Sequence, residues 1–327
     1  MESGPTPRRV FVTGARGFIG AAIADRCRAA GAEVRGVDQV ADRALGIVAG
    51  DVATPGEWQR HAAGCDLVVH TAAVVSNAFG HDASWRVNVL GTRHVLDAAV
   101  RGSAARFVQL SSVRAFSDLG FPDGVDERHP VRTDGAAYVD TKIASEHVVL
   151  QAHAAGELAC TIVRPGDVYG PGSQPWVVKP LELIRKRTFA LPALGRGRFS
   201  PVCVEDLVDG IVLAAAAPAA GGQVLTLAGA SAVSTREFFA HHHRWLGVRG
   251  PLLLPTPVAL GIAHAAAAVN RVRRVESEVN PTSMRYFARR GGYSIAKARA
   301  LLGYDPAVTL EEGMRRTEAW VRARALV

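Results

Sequence analysis

Short runs of branched apolar residues alternate, in the first half of the chain, with longer segments whose apolar residues recur at helical spacing. The short runs predict buried strands over residues 10–13, 33–37, 67–70, 107–110 and 160–163. The segments between them predict helices over residues 19–30, 55–63, 85–100 and 138–153. This alternation implies right-handed crossovers, and therefore an α/β fold of Rossmann type, in which helices cover both faces of a doubly wound parallel sheet.

The pattern changes after residue 165. Proline and glycine cluster over residues 165–175, and helical spacing dominates from there on. Ser234 and Thr309 each open a predicted helix as capping residues, and Gly303 closes one. We therefore predict two lobes within one folding unit, a sheet lobe over residues 1–165 and a smaller, mainly helical lobe over residues 166–327, with the two interleaved.

Composition places the chain among globular proteins of a reducing compartment. Apolar residues make up 48% of it and charged residues 21%, which is ordinary for such proteins. The four cysteines are far apart and lack metal-ligand spacing, so we expect buried free thiols and a cytoplasmic location. Residues 241–243 are consecutive histidines, which point about 100° apart on a helix. They are predicted to be surface residues, and no metal site is predicted.

The net charge of +8 is unevenly distributed. Residues 271–327 hold 12 Lys and Arg against 6 Asp and Glu, so +6 of the +8 lies there. These arginines alternate with apolar residues at helical spacing, which favours a solvated helix face over a nucleic-acid site. Residues 257–274 combine an apolar stripe with a basic end, and the most apolar run, residues 257–269, is too short to span a bilayer. They could cover a hydrophobic substrate or lie on a membrane, but a packed helix is the favoured interpretation.

A glycine loop follows the first predicted strand and opens the first predicted helix. Gly14, Gly17 and Gly20 would let the backbone approach a pyrophosphate, whose charge the helix N-terminus would meet. Asp38 closes the second strand 18 residues after Gly20. A carboxylate there can accept hydrogen bonds from ribose hydroxyls and repel a 2′-phosphate, which favours NAD over NADP. Arg16 and Arg43 could favour NADP instead.

Tyr138 and Lys142 lie four residues apart on a predicted helix, so their side chains share one face. An ammonium beside a phenol can stabilise the phenolate and so lower the pKa of the hydroxyl. The pair alone is common on solvated helices, and its interpretation depends on the rest of the chain.

Several further segments occur in an order that resembles the extended short-chain dehydrogenase/reductase family, closest to the branch of the 3β-hydroxysteroid dehydrogenases and dihydroflavonol reductases. The glycines follow a GxxGxxG pattern, Gly50 precedes Asp51 and Val52, and His70-Thr71 precedes Ala72 and Ala73. Asn88, Ser112 and the run from Arg164 to Gly172 complete the series. Thr141 stands where the family usually has serine, and Ser117 where a glycine is frequent.

The resemblance implies a role for each matching residue. It makes Tyr138 the general acid/base, Lys142 the residue that lowers its pKa and holds the nicotinamide ribose, and Ser112 the partner of the substrate oxygen. The implied cofactor-binding residues are Gly14, Gly17, Phe18, Ile19, Gly20, Asp38, Asp51, Val52, Ala72, Ala73, Asn88, Tyr138, Lys142, Pro165 and Val168.

The departures from the family pattern indicate the substrate class. Nucleotide-sugar enzymes of the family carry an arginine that grips the diphosphate, and counting back from Asp206 places Phe199 there. Dehydratases carry Asp-Glu after the catalytic serine, whereas Val113-Arg114 follow Ser112. We therefore expect a hydrophobic, for example steroid-like, secondary alcohol or ketone. The predicted substrate wall consists of Val74, Val75, Phe79, Phe116, Val168 and Trp176.

Two alternatives remain open at this point. One is a nucleotide-sugar 4-epimerase or reductase, and the other is a dinucleotide sensor without catalysis. By the same resemblance, the helices over residues 85–100 and 138–153 are expected to form a homodimer interface.

Overall fold

The computed structural model describes residues 7–76, 79–118, 122–273 and 280–327. In chain order its strands are β1 (Arg9–Thr13), β2 (Glu33–Asp38), β3 (Ile47–Ala49), β4 (Leu67–His70), β5 (Arg106–Leu110), β6 (Ala159–Pro165), β7 (Asp167–Tyr169), β8 (Ala190–Leu191), β9 (Arg198–Phe199), β10 (Pro201–Cys203), β11 (Val224–Leu227), β12 (Val233–Ser234) and β13 (Leu252–Leu253). Its α-helices are α1 (Phe18–Ala29), α2 (His81–Trp85), α3 (Gly91–Arg101), α4 (Ala137–Ala154), α5 (Lys179–Arg185), α6 (Val204–Ala216), α7 (Thr235–Trp245), α8 (Thr256–Arg273), α9 (Pro281–Phe287), α10 (Ala296–Leu302) and α11 (Leu310–Ala323).

The main sheet has the strand order β11-β6-β5-β4-β1-β2-β3, and each neighbouring pair is parallel. The predicted Rossmann-type fold is therefore confirmed. The five predicted strands are present, with ends that differ by two residues or fewer. The predicted helix over 55–63 is wrong in type, because this segment forms a 3₁₀ helix, Glu57–Ala62.

Two strands of the sheet escaped the sequence prediction. Strand β3 is three residues long, and β11 lies far beyond the sheet lobe in sequence yet pairs with β6. Helix α6 also lies beyond residue 165, and it packs against α1. Residues from β11 and α6 thus complete the core on one face of the sheet.

Buried apolar residues fill both faces of the sheet. One core cluster joins the strands to α1 and α6, and the second joins them to α3 and α4. Helices α2 and α3 are joined by a π-helical turn, Arg86–Leu90, so together they form one long element that begins four residues before the predicted start. Doubly wound sheets of this order bind ligands at the carboxyl ends of their strands.

The helical lobe has its own core of aromatic residues. Phe199 is fully buried there, with ring centroids 4.4 Å from Phe238 and 4.9 Å from Trp176. The prediction that the three histidines lie on the surface is wrong for His242 and His243, which are buried because α7 packs into this core. The prediction of buried free cysteines is confirmed for all four thiols.

Across the described ranges, no helix is long and apolar enough to cross a bilayer.

The glycine at the start of α1 provides a test of the fold. A Cβ at Gly20 would lie 2.1 Å from the carbonyl oxygen of Gly14, so Gly20→Ala must displace the loop. We expect it to lower the free energy of unfolding by about 2–3 kcal/mol in chemical denaturation. The matched control is Gly261→Ala in α8, where a Cβ meets nothing within 4 Å. This substitution should raise stability by about 0.5–1 kcal/mol, and equal effects of the two variants would contradict the packing described.

Candidate active site

The glycine loop forms a cradle between β1 and α1. Gly14 has a φ of 65°, which favours glycine, and a Cβ on it would lie 3.0 Å from the backbone of Ala72. A Cβ on Gly17 or on Gly20 would likewise lie close to the backbone of Gly14. The backbone is therefore closely packed where the first helix begins, which fits a pyrophosphate bound at the N-terminus of α1.

Asp38 lies at the end of β2 beside this loop. Its Oδ2 accepts from the backbone N–H of Arg16 at 2.9 Å, and its Oδ1 accepts from that of Gln39 at 2.8 Å. The carboxylate is thus held in one orientation next to the glycine loop, as a ribose-binding residue would need. Asp51 accepts from the N–H of Ala53 at 2.9 Å, and Val52 is buried beside it.

Asn88 connects the loop after β4 to the helix that carries Tyr138. It lies in the π-helical turn before α3, a distortion that is frequent at functional sites. Its Oδ1 accepts from the N–H of Val74 at 2.8 Å, and its Nδ2 donates to Thr141 Oγ1 at 3.0 Å. The threonine at the family's usual serine position therefore supplies the hydroxyl that this contact needs.

Tyr138, Ser112 and Lys142 come together at the carboxyl end of β5. The Ser112 hydroxyl hydrogen-bonds the Tyr138 side chain, and the Lys142 Nζ lies 5.9 Å from the centroid of the Tyr138 ring. Lys142 donates to the carbonyl oxygen of Leu110 at 2.8 Å. All three side chains are buried and line one cavity.

The pKa of Tyr138 differs from the sequence expectation. Burial raises it above its ordinary value, and the hydrogen bond from Ser112 and the guanidinium of Arg114 both act against that rise. The Asp118 carboxylate reinforces the rise. The cation that lowers the pKa of the phenol is Arg114, whereas Lys142 was expected to do so. Burial also lowers the pKa of Lys142 to about 8, although Glu146 opposes this.

Arg114 is a site residue whose role was not predicted from the sequence, in which it served only as evidence against a dehydratase. Its guanidinium lies 5.1 Å from the ring centroids of both Tyr138 and Tyr286, and it forms a buried ion pair with Asp118. Its position two residues after Ser112 was the available signal. Ser117, at the family's frequent glycine, has a φ of 75°, the left-handed conformation that explains why glycine is favoured there.

A second buried ion pair anchors α4. Glu146 accepts from Arg164 at 2.9 Å and 2.6 Å, and it also accepts from the hydroxyl of Ser111. Glu146 follows Lys142 by four residues on the same helix, a spacing that could have identified it. The pair links α4 to β6 and to the residue next to Ser112.

The cavity has a volume of about 280 Å³ and extends from the glycine loop into the helical lobe. The end of the cavity near the glycine loop is lined by Phe18, Ile19, Ala73 and Pro165. Beyond Tyr138 the lining is chiefly apolar. Its apolar residues are Val75, Val168, Pro175, Trp176, Pro180, Leu183, Phe189, Ala190, Leu254, Ala259, Ile262, Ala263, Met284, Tyr286 and Phe287, and its polar residues include Ser76, Lys179, Thr188 and Ser283.

Three of the predicted wall residues do not line this cavity. Phe116 is buried in a separate cluster, stacked on Tyr293 with ring centroids 5.7 Å apart. Phe79 is exposed and borders a small pocket near His81. Val74 is held by Asn88 through its backbone. Helix α8 lines the cavity, which is one of the alternatives left open for residues 257–274. The contribution of α9 had no signal in the sequence, because it depends on how the helical lobe folds back.

Asp167 also lines the cavity. It accepts from the N–H of Ser200 at 2.7 Å and pairs with Arg289 at 3.3 Å, and both charged side chains are almost fully buried. Burial raises the pKa of Asp167 to about 6, while Arg289 opposes the rise. Arg289 in turn stacks on Tyr286 at 3.7 Å, so this pair braces the helical wall of the cavity.

Comparison with known proteins agrees with this geometry. The profile of the NAD dependent epimerase/dehydratase family matches residues 10–228. The chain belongs to this family. It is thereby an extended short-chain dehydrogenase/reductase, as the sequence predicted.

Named relatives of similar length carry out oxidation or reduction. The chain is 30% identical over 318 residues, 94% of each protein, to 4-hydroxy-2-methyl-3-oxo-4-farnesyl-3,4-dihydroquinoline-1-oxide ketoreductase of Stigmatella aurantiaca. It is 29% identical over 334 residues, 94% of this chain and 89% of the relative, to 3-beta-hydroxysteroid dehydrogenase of Mycolicibacterium neoaurum. This family member is an oxidoreductase that depends on a nicotinamide dinucleotide.

Solved structures share the fold. The dTDP-glucose 4,6-dehydratase DesIV of Streptomyces venezuelae, with NAD and TYD bound, superposes with a TM-score of 0.77. It is 23% identical, and the alignment covers 96% of this chain and 97% of that one.

Lys142→Met provides a test of the buried ammonium. Burial lowers the pKa of Lys142 to about 8 in the folded chain. Below that pH the lysine is charged in both the folded and the unfolded state, and the burial of its charge lowers the free energy of unfolding. This cost disappears as pH rises from about 8 towards about 10.4, the value of a free lysine. After the lost hydrogen bond is subtracted, we expect Lys142→Met to gain about 2 kcal/mol of unfolding free energy at neutral pH.

The gain should shrink when urea unfolding is repeated near pH 10. Lys297→Met is the matched control, since the Lys297 Nζ also donates to a strand carbonyl, that of Val224 at 2.9 Å, but is only half-buried. We expect no stabilisation from it. A Lys142→Met variant less stable than the wild type at neutral pH would contradict the buried-ammonium account.

Proposed function

We propose that this enzyme interconverts a secondary alcohol and a ketone on a hydrophobic substrate, with Tyr138 as the general acid/base. The observation that carries the proposal is the cavity beyond Tyr138, which apolar side chains line from both lobes. Pockets of this kind bind ligands by burying apolar surface, with a few polar groups that orient them. Here Tyr138 and Ser112 are the polar groups at the reacting end.

The arginines near the cavity support a substrate without a diphosphate. Arg114 is paired with Asp118, Arg289 with Asp167, and Arg164 with Glu146. Releasing such a buried guanidinium to bind a phosphate would leave its carboxylate buried and unpaired, which is costly.

The position at which the family's nucleotide-sugar enzymes carry their gripping arginine also supports this. Phe199 occupies it, fully buried in the aromatic core. The named substrate of the Stigmatella aurantiaca relative carries a farnesyl group, and the other relative is named for a steroid. The first name includes a 3-oxo group, and the second a 3-hydroxyl group.

In the proposed reaction, the Tyr138 hydroxyl donates a proton to the ketone oxygen, or accepts one from the alcohol in the reverse direction. The Ser112 hydroxyl hydrogen-bonds the same substrate oxygen and keeps it within reach of the phenol. Lys142 would hold the nicotinamide ribose. The bound dinucleotide supplies or accepts the hydride. The other cofactor-binding residues of the sequence prediction keep their proposed roles, and Asp38 favours NAD over NADP.

We also propose that the enzyme acts in the cytoplasm, where its four buried thiols remain reduced. A homodimer through α3 and α4 is part of the same proposal. Val100 on α3, and Trp85 and Leu90 just before it, are large apolar residues exposed to solvent.

The substrate class can be tested directly. The full chain is incubated with NAD or NADP and a panel of sterols and aliphatic secondary alcohols, while reduced cofactor is followed by absorbance. We expect reduction of NAD with the hydrophobic alcohols, a weaker response with NADP, and a loss of about 10³-fold in kcat for Tyr138→Phe.

Phe79→Tyr is the matched control, because Phe79 lies outside the large cavity, and it should retain full activity. Turnover of UDP- or dTDP-sugars alone, without accumulation of reduced cofactor, would contradict the proposal. Cofactor binding without turnover of any compound would indicate a sensor.

The ion pair beside Tyr138 allows a test in which two substitutions should shift the pH profile in opposite directions. The Arg114 guanidinium lowers the pKa of Tyr138 and the Asp118 carboxylate raises it. Arg114→Gln should therefore move the rise of the oxidation rate with pH to higher pH, and Asp118→Asn should move it to lower pH. The measurement is the pH profile of kcat/KM. Both variants break the same ion pair, so shifts in the same direction would indicate only structural damage and would contradict the electrostatic assignment.

A further inference from the structure

Helix α8 exposes an apolar stripe to solvent. Val258, Ile262, Val269 and Val272 are 48%, 54%, 50% and 86% exposed. Their spacing of four, seven and three residues places them on one helix face. A surface helix of a globular protein normally turns its large apolar residues inward. In α8 the residues turned inward and fully buried are small ones, Ala259 and Ala263.

The exposed stripe is continuous with the substrate cavity. Ala259, Ile262 and Ala263 line the cavity from α8, and Ile262 also belongs to the exposed stripe. One face of this helix is thus the wall of the cavity, and the other continues its apolar surface to the outside. Leu252, just before α8, is a further large apolar residue that is 60% exposed.

Positive charge lies at one end of the stripe. Arg271 and Arg273 are exposed on the last turn of α8, on either side of Val272. A helix of 18 residues is about 27 Å long, and its stripe of aliphatic residues ending in arginines fits the interface of a bilayer that contains anionic lipid. Contiguous exposed apolar surface of this kind marks an interaction site.

We propose that α8 docks the enzyme on the surface of a membrane that contains anionic lipid, and that the hydrophobic substrate passes from the bilayer into the cavity beside Ile262. The substrate part of this inference rests on the proposed function, whereas the docking part does not. A bilayer fits better than a second copy of the chain, since a protein face packed on Ile262 would close the cavity where the substrate must enter. The expected pose is peripheral, with α8 parallel to the membrane plane.

The docking is tested by co-sedimentation of the full chain with sucrose-loaded vesicles. Vesicles of phosphatidylcholine alone are compared with vesicles that also contain phosphatidylglycerol. We expect binding to the mixed vesicles that falls with added salt. Val269→Gln/Val272→Gln removes two stripe residues that do not line the cavity, and it should weaken binding at least tenfold.

Two further variants separate the causes. Arg271→Gln/Arg273→Gln should weaken binding to the mixed vesicles by roughly fivefold for each charge and leave binding to neutral vesicles unchanged. Leu45→Gln/Leu213→Gln alters two exposed leucines outside α8, and this matched control should bind as the wild type does. Circular dichroism and thermal unfolding establish that all variants are folded.

Activity distinguishes the docking from the proposed function. With a sterol or alcohol delivered in cyclodextrin, Val269→Gln/Val272→Gln should keep the wild-type rate, whereas with the same compound held in vesicles its rate should fall in parallel with binding. Equal sedimentation of wild type and stripe variant would overturn the docking. It would also be overturned if the stripe substitutions converted a wild-type dimer to a monomer in light scattering, since a second copy would then cover the face.

Discussion

The buried ion pair between Glu146 and Arg164 is the interaction on which the rest of the site depends. It ties α4 to the end of β6 inside the protein, where neither charge reaches water. Breaking such a pair by removing one partner typically costs about 3–5 kcal/mol. The hydroxyl of Ser111 donates to the same carboxylate, and Lys142, one turn earlier on α4, donates to the carbonyl of Leu110. The helix that carries Tyr138 therefore has little freedom to move relative to the strand that carries Ser112.

The same principle of paired charges shapes the cavity. Its walls contain arginines, but Asp118 and Asp167 accept from Arg114 and Arg289 within the protein. A ligand in the cavity would therefore contact mainly the apolar surface around these ion pairs. This surface includes the rings of Tyr286 and Tyr138, over which Arg114 lies. Charge is thus used to set the conformation and the proton affinity of the phenol. In the proposed function, the affinity for substrate comes from the burial of apolar area.

Local patterns were enough to predict five of the seven strands of the sheet and to indicate Ser112, Tyr138 and Lys142 as candidate site residues. Each strand from β1 to β6 except β3 is a short, branched apolar run, and the glycine loop, Ser112, Tyr138 and Lys142 belong to ordered segments with recognisable spacing. Strand β11 was missed because it pairs with β6 across more than fifty residues, and nothing local distinguishes it from a helical-lobe loop.

The substrate wall was predictable only in part. Val75, Val168 and Trp176 line the cavity, whereas Phe116 and Phe79 do not, since aromatic character alone cannot separate core packing from a ligand contact. The residues of α8 and α9 are brought to the cavity by the fold of the second lobe. The pKa of Tyr138 likewise depends on its burial and on Arg114, and both follow from tertiary structure.

In the proposed reaction, a hydrophobic ketone receives a proton and a hydride at this site. This transfer is tested most directly with NADH that carries deuterium at its transferable position, incubated with a steroid or isoprenoid ketone and the wild-type chain. The account predicts an alcohol product with one deuterium on the carbinol carbon, found by mass spectrometry. Unlabelled alcohol, or label found only in a nucleotide sugar supplied in competition, would contradict it.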